Sequence, residues 1–210
     1  ATSFGDDLHP AAAQAMWAAL TDKEPAALKS DDTRLTVPHL EGIFLALSAS
    51  TANYTASQWS REFAAMRKVG ITFAAVRAAI EGVSNSTEDG CSLGTFVAYY
   101  PATLTPAHCY TRVATSAGDS PLGRLLAAAA ENGVKVHITP AFQSKGMFSW
   151  PHGGVYFQAL GRLQAAVFDD VVAAFPEHRS TTIAGVYTAL EEWNSGGWMN
   201  LNESLALEYL

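Results

Sequence analysis

The sequence predicts an α/β fold, the first four βα units of a TIM-like (β/α)8 barrel that is incomplete in this chain. Three observations point there. From residue 41 onward, apolar runs of about a strand's length alternate with longer amphipathic stretches, in the order β-α-β-α-β-α-β-α. Helical stretches give way at once to runs that are apolar on both faces, as strands covered on both sides require. Polar and aromatic residues collect after the C-terminal end of every strand, where barrels keep their sites. An open doubly wound sheet fits the same order. However, the segment after the first strand, LSASTANYTAS, has no glycine with which to approach a pyrophosphate.

Each element has its own signal. Residues 1–40 form a preface: HPAAAQAMWAAL suits one short helix and EPAALKSDDTRLTVPH a turn-rich linker. The barrel domain spans 41–210. GIFLALS, about 42–48, is the first strand. Thr55 and Gln58 make a capping box for the first helix, Gly70 stops it, and Trp59, Phe63, Met66 and Val69 recur as one buried stripe. ITFAAVRAAI is the second strand. The stretch from about 80 to 119 is long for a βα connection, and ordered loops of that length commonly carry function. Ser120 caps the next helix with Pro121 at its first position, and Gly133 ends it. VKVHITPAF is the third strand. The helix from Gly154 to about Phe175 aligns Leu160, Leu163, Val167 and Val171 on one face, with Pro176 beyond it. TTIAGVYTAL is the fourth strand, and LNESLALEYL begins a fourth helix.

Composition narrows the function classes. Apolar residues make up 49% and charged residues 16%, ample for a core. A net charge of −7 argues against a nucleic-acid or anionic-membrane partner, because phosphate binding needs a basic surface. No apolar run approaches the roughly 18 residues that span a bilayer. The chain also lacks a charged n-region with an apolar h-region, so any signal peptide is expected to have been removed. No motif calls for a cofactor.

Cys91 and Cys109 share one loop-like stretch, and a secreted protein would join them as a staple. Two free thiols, or a metal held by them with His108, are the alternatives, but the spacing fits no zinc pattern. Sequons at Asn53, Asn85 and Asn202 are candidate glycosylation sites. Together these features favour a secreted or extracellular setting.

The stretch GIFLALSASTANYTASQWSREFAAMRKVGITFAAV resembles the opening of a glycoside-hydrolase-like barrel family catalogued as a domain of unknown function. Shared features are the Gly-x-Phe strand, the Thr-x-x-x-Trp helix start and the Met66-to-Ile71 run into the second strand. The likeness continues through Tyr99-Tyr100-Pro101, the Gly-Val-Lys-Val third strand and Gly185-Val-Tyr-x-x-Leu-Glu191, and so covers about residues 41–210. It implies a barrel related to glycoside hydrolases, with the general acid/base at the tip of strand four, here Glu191. The wider hydrolase clan places Asn before that Glu, where this chain has Leu190.

Hydrolysis of a glycoside needs two carboxyl groups, about 5–5.5 Å apart in retaining enzymes and about 6.5–9.5 Å in inverting ones. Glu191 and Glu192 are adjacent on a strand and point to opposite faces, so they are not that pair. Glu191 shares its phase with Gly185 and Tyr187, which suit a barrel interior; solvation of a strand end is the bland reading of both carboxylates. The second carboxylate is expected from a later strand, supplied by the remaining half of the barrel in the same longer protein or another chain. Arg77 interrupts an apolar strand and either pairs in the barrel mouth, with Glu81 nearest, or marks the strand's end. His137 is read as a satisfied core histidine, with a catalytic base as the alternative. Gln143 lies after the third strand, and Tyr99, Tyr100, Trp150 and Trp193 are candidate platforms for sugar faces, although loop packing would explain each one alone. The expected partner is carbohydrate. The alternative is a non-catalytic extracellular assembly glycoprotein with a degenerate hydrolase barrel.

Overall fold

In the computed structural model, residues 41–84, 90–142 and 153–187 are described, with backbone alone for 153–157. Expectations for residues 1–40 and for the tail beyond 187 lie outside them. The described fold is mixed α/β: a six-stranded, mostly parallel sheet with three α-helices. In chain order these are β1 (Gly42–Ala46), α1 (Ala56–Lys68), β2 (Phe73–Ser84), β3 (Thr95–Ala98), β4 (Tyr110–Arg112), α2 (Pro121–Glu131), β5 (Lys135–Phe142), α3 (Gly153–Ala174) and β6 (Ile183–Val186).

Strands β1, β2, β5 and β6 are parallel neighbours in the order in which they leave the chain. The stretch expected to be one long loop departs from that reading. β2 runs on to Ser84, β3 folds back antiparallel along its second half, and β4 pairs parallel with β3. Because β5 occupies one edge of β2 from Phe73 to Glu81, β1 and β3 must share the other, one after the other.

Local chemistry sets the helix ends. Thr55 Oγ1 accepts from the Gln58 N–H, and the Thr55 N–H donates to Gln58 Oε1 at 2.8 Å. A capping interaction of this kind is worth about 1 kcal/mol. Trp59, Phe63 and Met66 are buried as expected, but Val69 is 50% exposed, because the helix ends at Lys68 and Val69 is already its cap. Ser120 Oγ accepts from the Gly123 N–H at the start of α2. Gly133 closes that helix at φ +64°, a conformation that favours glycine. In α3, Leu160, Val167 and Val171 are buried and Leu163 half-buried, with Gln164 joining the buried stripe. Its amide donates to the Ala141 carbonyl at 2.8 Å and accepts from the Ala141 N–H at 3.2 Å, fixing α3 to β5.

Pleating divides the sheet into two faces. One carries Ile43, Leu45, Ala74, Val76, Val136, Ile138 and Ile183, which merge with the helices in a continuous core. The opposite face carries Phe44, Phe73, Arg77, His137, Thr139 and Gly185. Phe44 is 60% exposed and Phe73 36%. In a flat sheet β1 and β6, three spacings apart, would be separated by about 14 Å. Yet the rings of Phe44 and Tyr187 meet edge-on with centroids 5.0 Å apart. The sheet therefore curls toward this face and makes it concave.

Candidate functional site

At the C-terminal ends of the parallel strands, β2 and β5 bring four side chains together. Arg77 and Thr139 are register partners, as are Glu81 and Phe142. Four residues along an unbroken strand would put Arg77 and Glu81 about 13 Å apart at their backbones. The register shift between Arg77 and Ile80 interrupts that regularity, and Arg77 Nη2 lies 3.5 Å from Glu81 Oε1. The Arg77 guanidinium carbon sits 3.7 Å from the centre of the Phe142 ring. Such stacking orients the cation without consuming its donors.

From β3's end the Tyr99 hydroxyl donates to Glu81 Oε2 at 2.8 Å. Burial, followed by the Glu81 carboxylate, holds the Tyr99 phenol well above its usual pKa, so it stays protonated. Both Glu81 oxygens are thus engaged, while Arg77, about half exposed, keeps further N–H groups for a ligand. Beside them Thr139 is fully buried, and its Oγ1 has no hydrogen-bond partner among the described residues. This arrangement can recognise hydroxyl or carboxylate groups. Among the described residues its only carboxylate is Glu81, so the cluster alone does not supply an acid–base pair.

Farther down the concave face, the Phe73 and His137 rings lie 5.7 Å apart, with His137 half-buried. A Cβ on Gly42 would fall 2.1 Å from the Phe73 ring, so that glycine is what lets Phe73 lie over β1. Gly185 pairs with His137 and belongs to the same face, next to Tyr187.

Tyr99 and Tyr100, candidate platforms for sugar faces or loop-packing residues, are core residues at 3% and 0% exposure. With β3 paired to β2, they turn inward at the strand's end. The Tyr100 hydroxyl donates to Asp170 Oδ2 at 2.9 Å, and burial, reinforced by that carboxylate, raises its pKa. Asp170 also accepts from the Thr103 N–H at 2.9 Å and from the Thr103 hydroxyl. Nothing in the sequence singled out Asp170, Thr139 or Phe142. Asp170 sits near the C-terminal end of α3, and its partners come from about 70 residues away.

Cys91 and Cys109 are joined by a disulfide, with Cα atoms 5.7 Å apart. A His108 nitrogen lies within 4.8 Å of the sulfurs. Bonded to each other, the sulfurs offer no thiolate to a metal. Asn53 is exposed in the turn before α1. Glu191, Gln143, Trp150, Trp193, Asn85 and Asn202 lie outside the described residues. Among the described residues no helix is long and apolar enough to cross a membrane.

A second concavity, about 500 Å³, lies on the other side of the disulfide segment, between it and α3. Comparison with protein-family models, with curated proteins and with solved structures gave no match.

Proposed function

We propose that this chain contributes the first four βα units of a secreted, glycoside-hydrolase-like (β/α)8 barrel that binds or cleaves a polysaccharide at the C-terminal ends of its strands. The observation that carries this reading is the Arg77–Glu81–Tyr99 cluster beside Phe142 at the mouth of a concave parallel sheet. An oriented carboxylate, a guanidinium with donors to spare and an aromatic ring suit a polyhydroxylated ligand. Four parallel strands adjacent in chain order and curled to one side agree with a barrel segment. The exposed rings of Phe44 and Phe73 would then be covered by the remaining half of the barrel. The disulfide is compatible with a secretory route. Glu191, four residues beyond Tyr187, is the proposed general acid/base, and its partner carboxylate comes from the second half.

A non-catalytic glycan-binding or assembly role is the second reading. It is favoured by Leu190 in place of the clan's Asn and by the lone, fully engaged Glu81. A panel of soluble polysaccharides offered to the wild type, Arg77→Ala and Glu191→Gln separates the two. Hydrolysis lost in Glu191→Gln with binding retained supports the enzyme. Binding without hydrolysis, weakened at least tenfold in Arg77→Ala, supports the second reading. Absence of both binding and hydrolysis across the panel sinks the carbohydrate proposal.

A further inference from the structure

The cleft between the disulfide segment and α3 is independent of the strand-end cluster. On one side stand the Cys91–Cys109 bridge, Leu93 and the loop from Thr103 to Pro106; on the other, Ala159, Arg162, Leu163, Ala166 and Asp170 of α3. Phe96 and Tyr110, stacked with centroids 5.9 Å apart, line it as well. A volume of about 500 Å³ falls within the range of small-molecule sites.

Among the described residues two charged groups line the cleft, and they are not equivalent. Asp170 is already satisfied, accepting from Tyr100 and twice from Thr103. A carboxylate offers about four acceptor positions, so Asp170 has room for roughly one more donor and little demand for a cation. Arg162, by contrast, is exposed and forms no hydrogen bond or ion pair among the described residues. Eight residues of helix separate them, about 12 Å at 1.5 Å per residue. Asp170 therefore stands about two turns along the cleft from Arg162, its charge already partly compensated by three donors. The stripe between them, Leu163 and Ala166, is apolar or small.

We infer that this cleft binds a small carboxylate-bearing ligand. Its carboxylate pairs with Arg162, its apolar face lies along Leu163 and the Phe96–Tyr110 wall, and a hydroxyl at its far end reaches Asp170. A planar guanidinium suits a carboxylate through two parallel N–H bonds. The disulfide pre-orders the wall facing α3, which reduces the ordering cost of binding. An acidic sugar and an aryl carboxylate share this chemistry.

Saturation-transfer NMR on the whole, oxidised chain tests the proposal with glucuronate, 4-hydroxybenzoate and glucose as probes. Glucuronate or 4-hydroxybenzoate should bind at millimolar concentration and glucose should not; which carboxylate binds better identifies the source. Arg162→Gln, a change at a side chain with no partner to lose among the described residues, should weaken binding at least tenfold. Ala166→Trp, filling the cleft from an exposed helix position, should abolish it. No binding by either carboxylate overturns the site, as does Arg162→Gln binding like the wild type. Neither result bears on the strand-end cluster, whose test uses polysaccharides with Arg77→Ala and Glu191→Gln.

Discussion

The hydroxyl of Tyr100, a fully buried side chain just beyond β3, donates to Asp170 Oδ2 on α3 at 2.9 Å. With both hydrogen bonds from Thr103, this carboxylate pins the disulfide-bearing segment to the helix that covers the sheet. Hydrogen bonds to a charged acceptor are worth about 1.5–3 kcal/mol each, but they share one side chain and do not add. Asp170→Asn would turn an all-acceptor group into one whose NH₂ faces a donor. It should lower the unfolding free energy by about 2–3 kcal/mol in urea titration. A wild-type midpoint would show that Asp170 is no tie.

Stability should fall at alkaline pH. Tyr99, Tyr100 and Tyr110 all have pKa values raised above the ordinary phenol value of 10.0, chiefly by burial, with Glu81 and Asp170 adding to the first two. Above about pH 10 the unfolded chain releases these protons while the folded chain retains them, so unfolding gains on folding as pH rises. Tyr99 and Tyr100, the most strongly shifted, each contribute up to about 1.4 kcal/mol per pH unit over that window. Between pH 10 and 11, absorbance at 295 nm should show these tyrosines ionising only as the protein unfolds. Full phenolate absorbance in a chain that stays folded would contradict it.

What could be read from the sequence was what local chemistry decides. Thr55 with Gln58, Ser120 with Pro121, and the stops at Gly70 and Gly133 act within a few residues, and the structure has helix ends there. The order of the four parallel strands followed from repeated apolar runs. β3 and β4, four and three residues long, were not legible, because their pairing depends on β2 continuing to Ser84. That miss misplaced Tyr99 and Tyr100, since two aromatics before Pro101 in a supposed loop look solvent-facing. Arg77 with Glu81 could be suspected from composition alone, because charge is rare in this strand. Thr139 and Phe142 could not, because they join the cluster only through the register of β5 on β2.

The buried Thr139 hydroxyl has no partner among the described residues, so it carries a desolvation cost that no hydrogen bond from them offsets. Thr139→Val keeps the shape and removes the hydroxyl. It should stabilise the fold by about 1–2 kcal/mol in chemical denaturation. If the hydroxyl instead holds a ligand beside Arg77, the same variant should bind polysaccharide more weakly despite its higher stability. A loss of stability would mean that the hydroxyl is bonded in solution.

Removing the disulfide should cost more than removing any one of these polar contacts. It links residues 18 apart, and closing a loop of that size stabilises the folded state by about 3 kcal/mol, mainly by restricting the unfolded chain. The Cys91→Ser/Cys109→Ser double variant should therefore unfold at a clearly lower urea concentration. Its α1–α2 packing should survive, because Arg124 anchors α2 independently: its Nε donates to the Tyr54 carbonyl at 2.7 Å and its Nη2 to the Ala52 carbonyl at 2.6 Å. Hydrogen exchange resolves the two regions. Uniform loss of protection across α1 and α2 would show that the bridge stabilises the whole domain rather than its own segment.

Two glycines of one loop–helix junction should respond in opposite directions to the same added methyl group. A Cβ on Gly123, in the first turn of α2, would fall 2.0 Å from the Ala117 carbonyl oxygen, a backbone atom that cannot swing aside. Ala117 is also held by the Ser120 N–H and hydroxyl, which both donate to that oxygen. Gly123→Ala should therefore cost at least about 1–3 kcal/mol through overpacking, even though alanine is the better helix former. Gly118 is exposed, and a Cβ there meets nothing within 4 Å. Gly118→Ala restricts only the unfolded chain and should stabilise by about 0.4–1 kcal/mol. Urea midpoints measured side by side decide it: equal shifts in the two variants would mean that the α2 N-terminus is not packed against the 117 carbonyl as described.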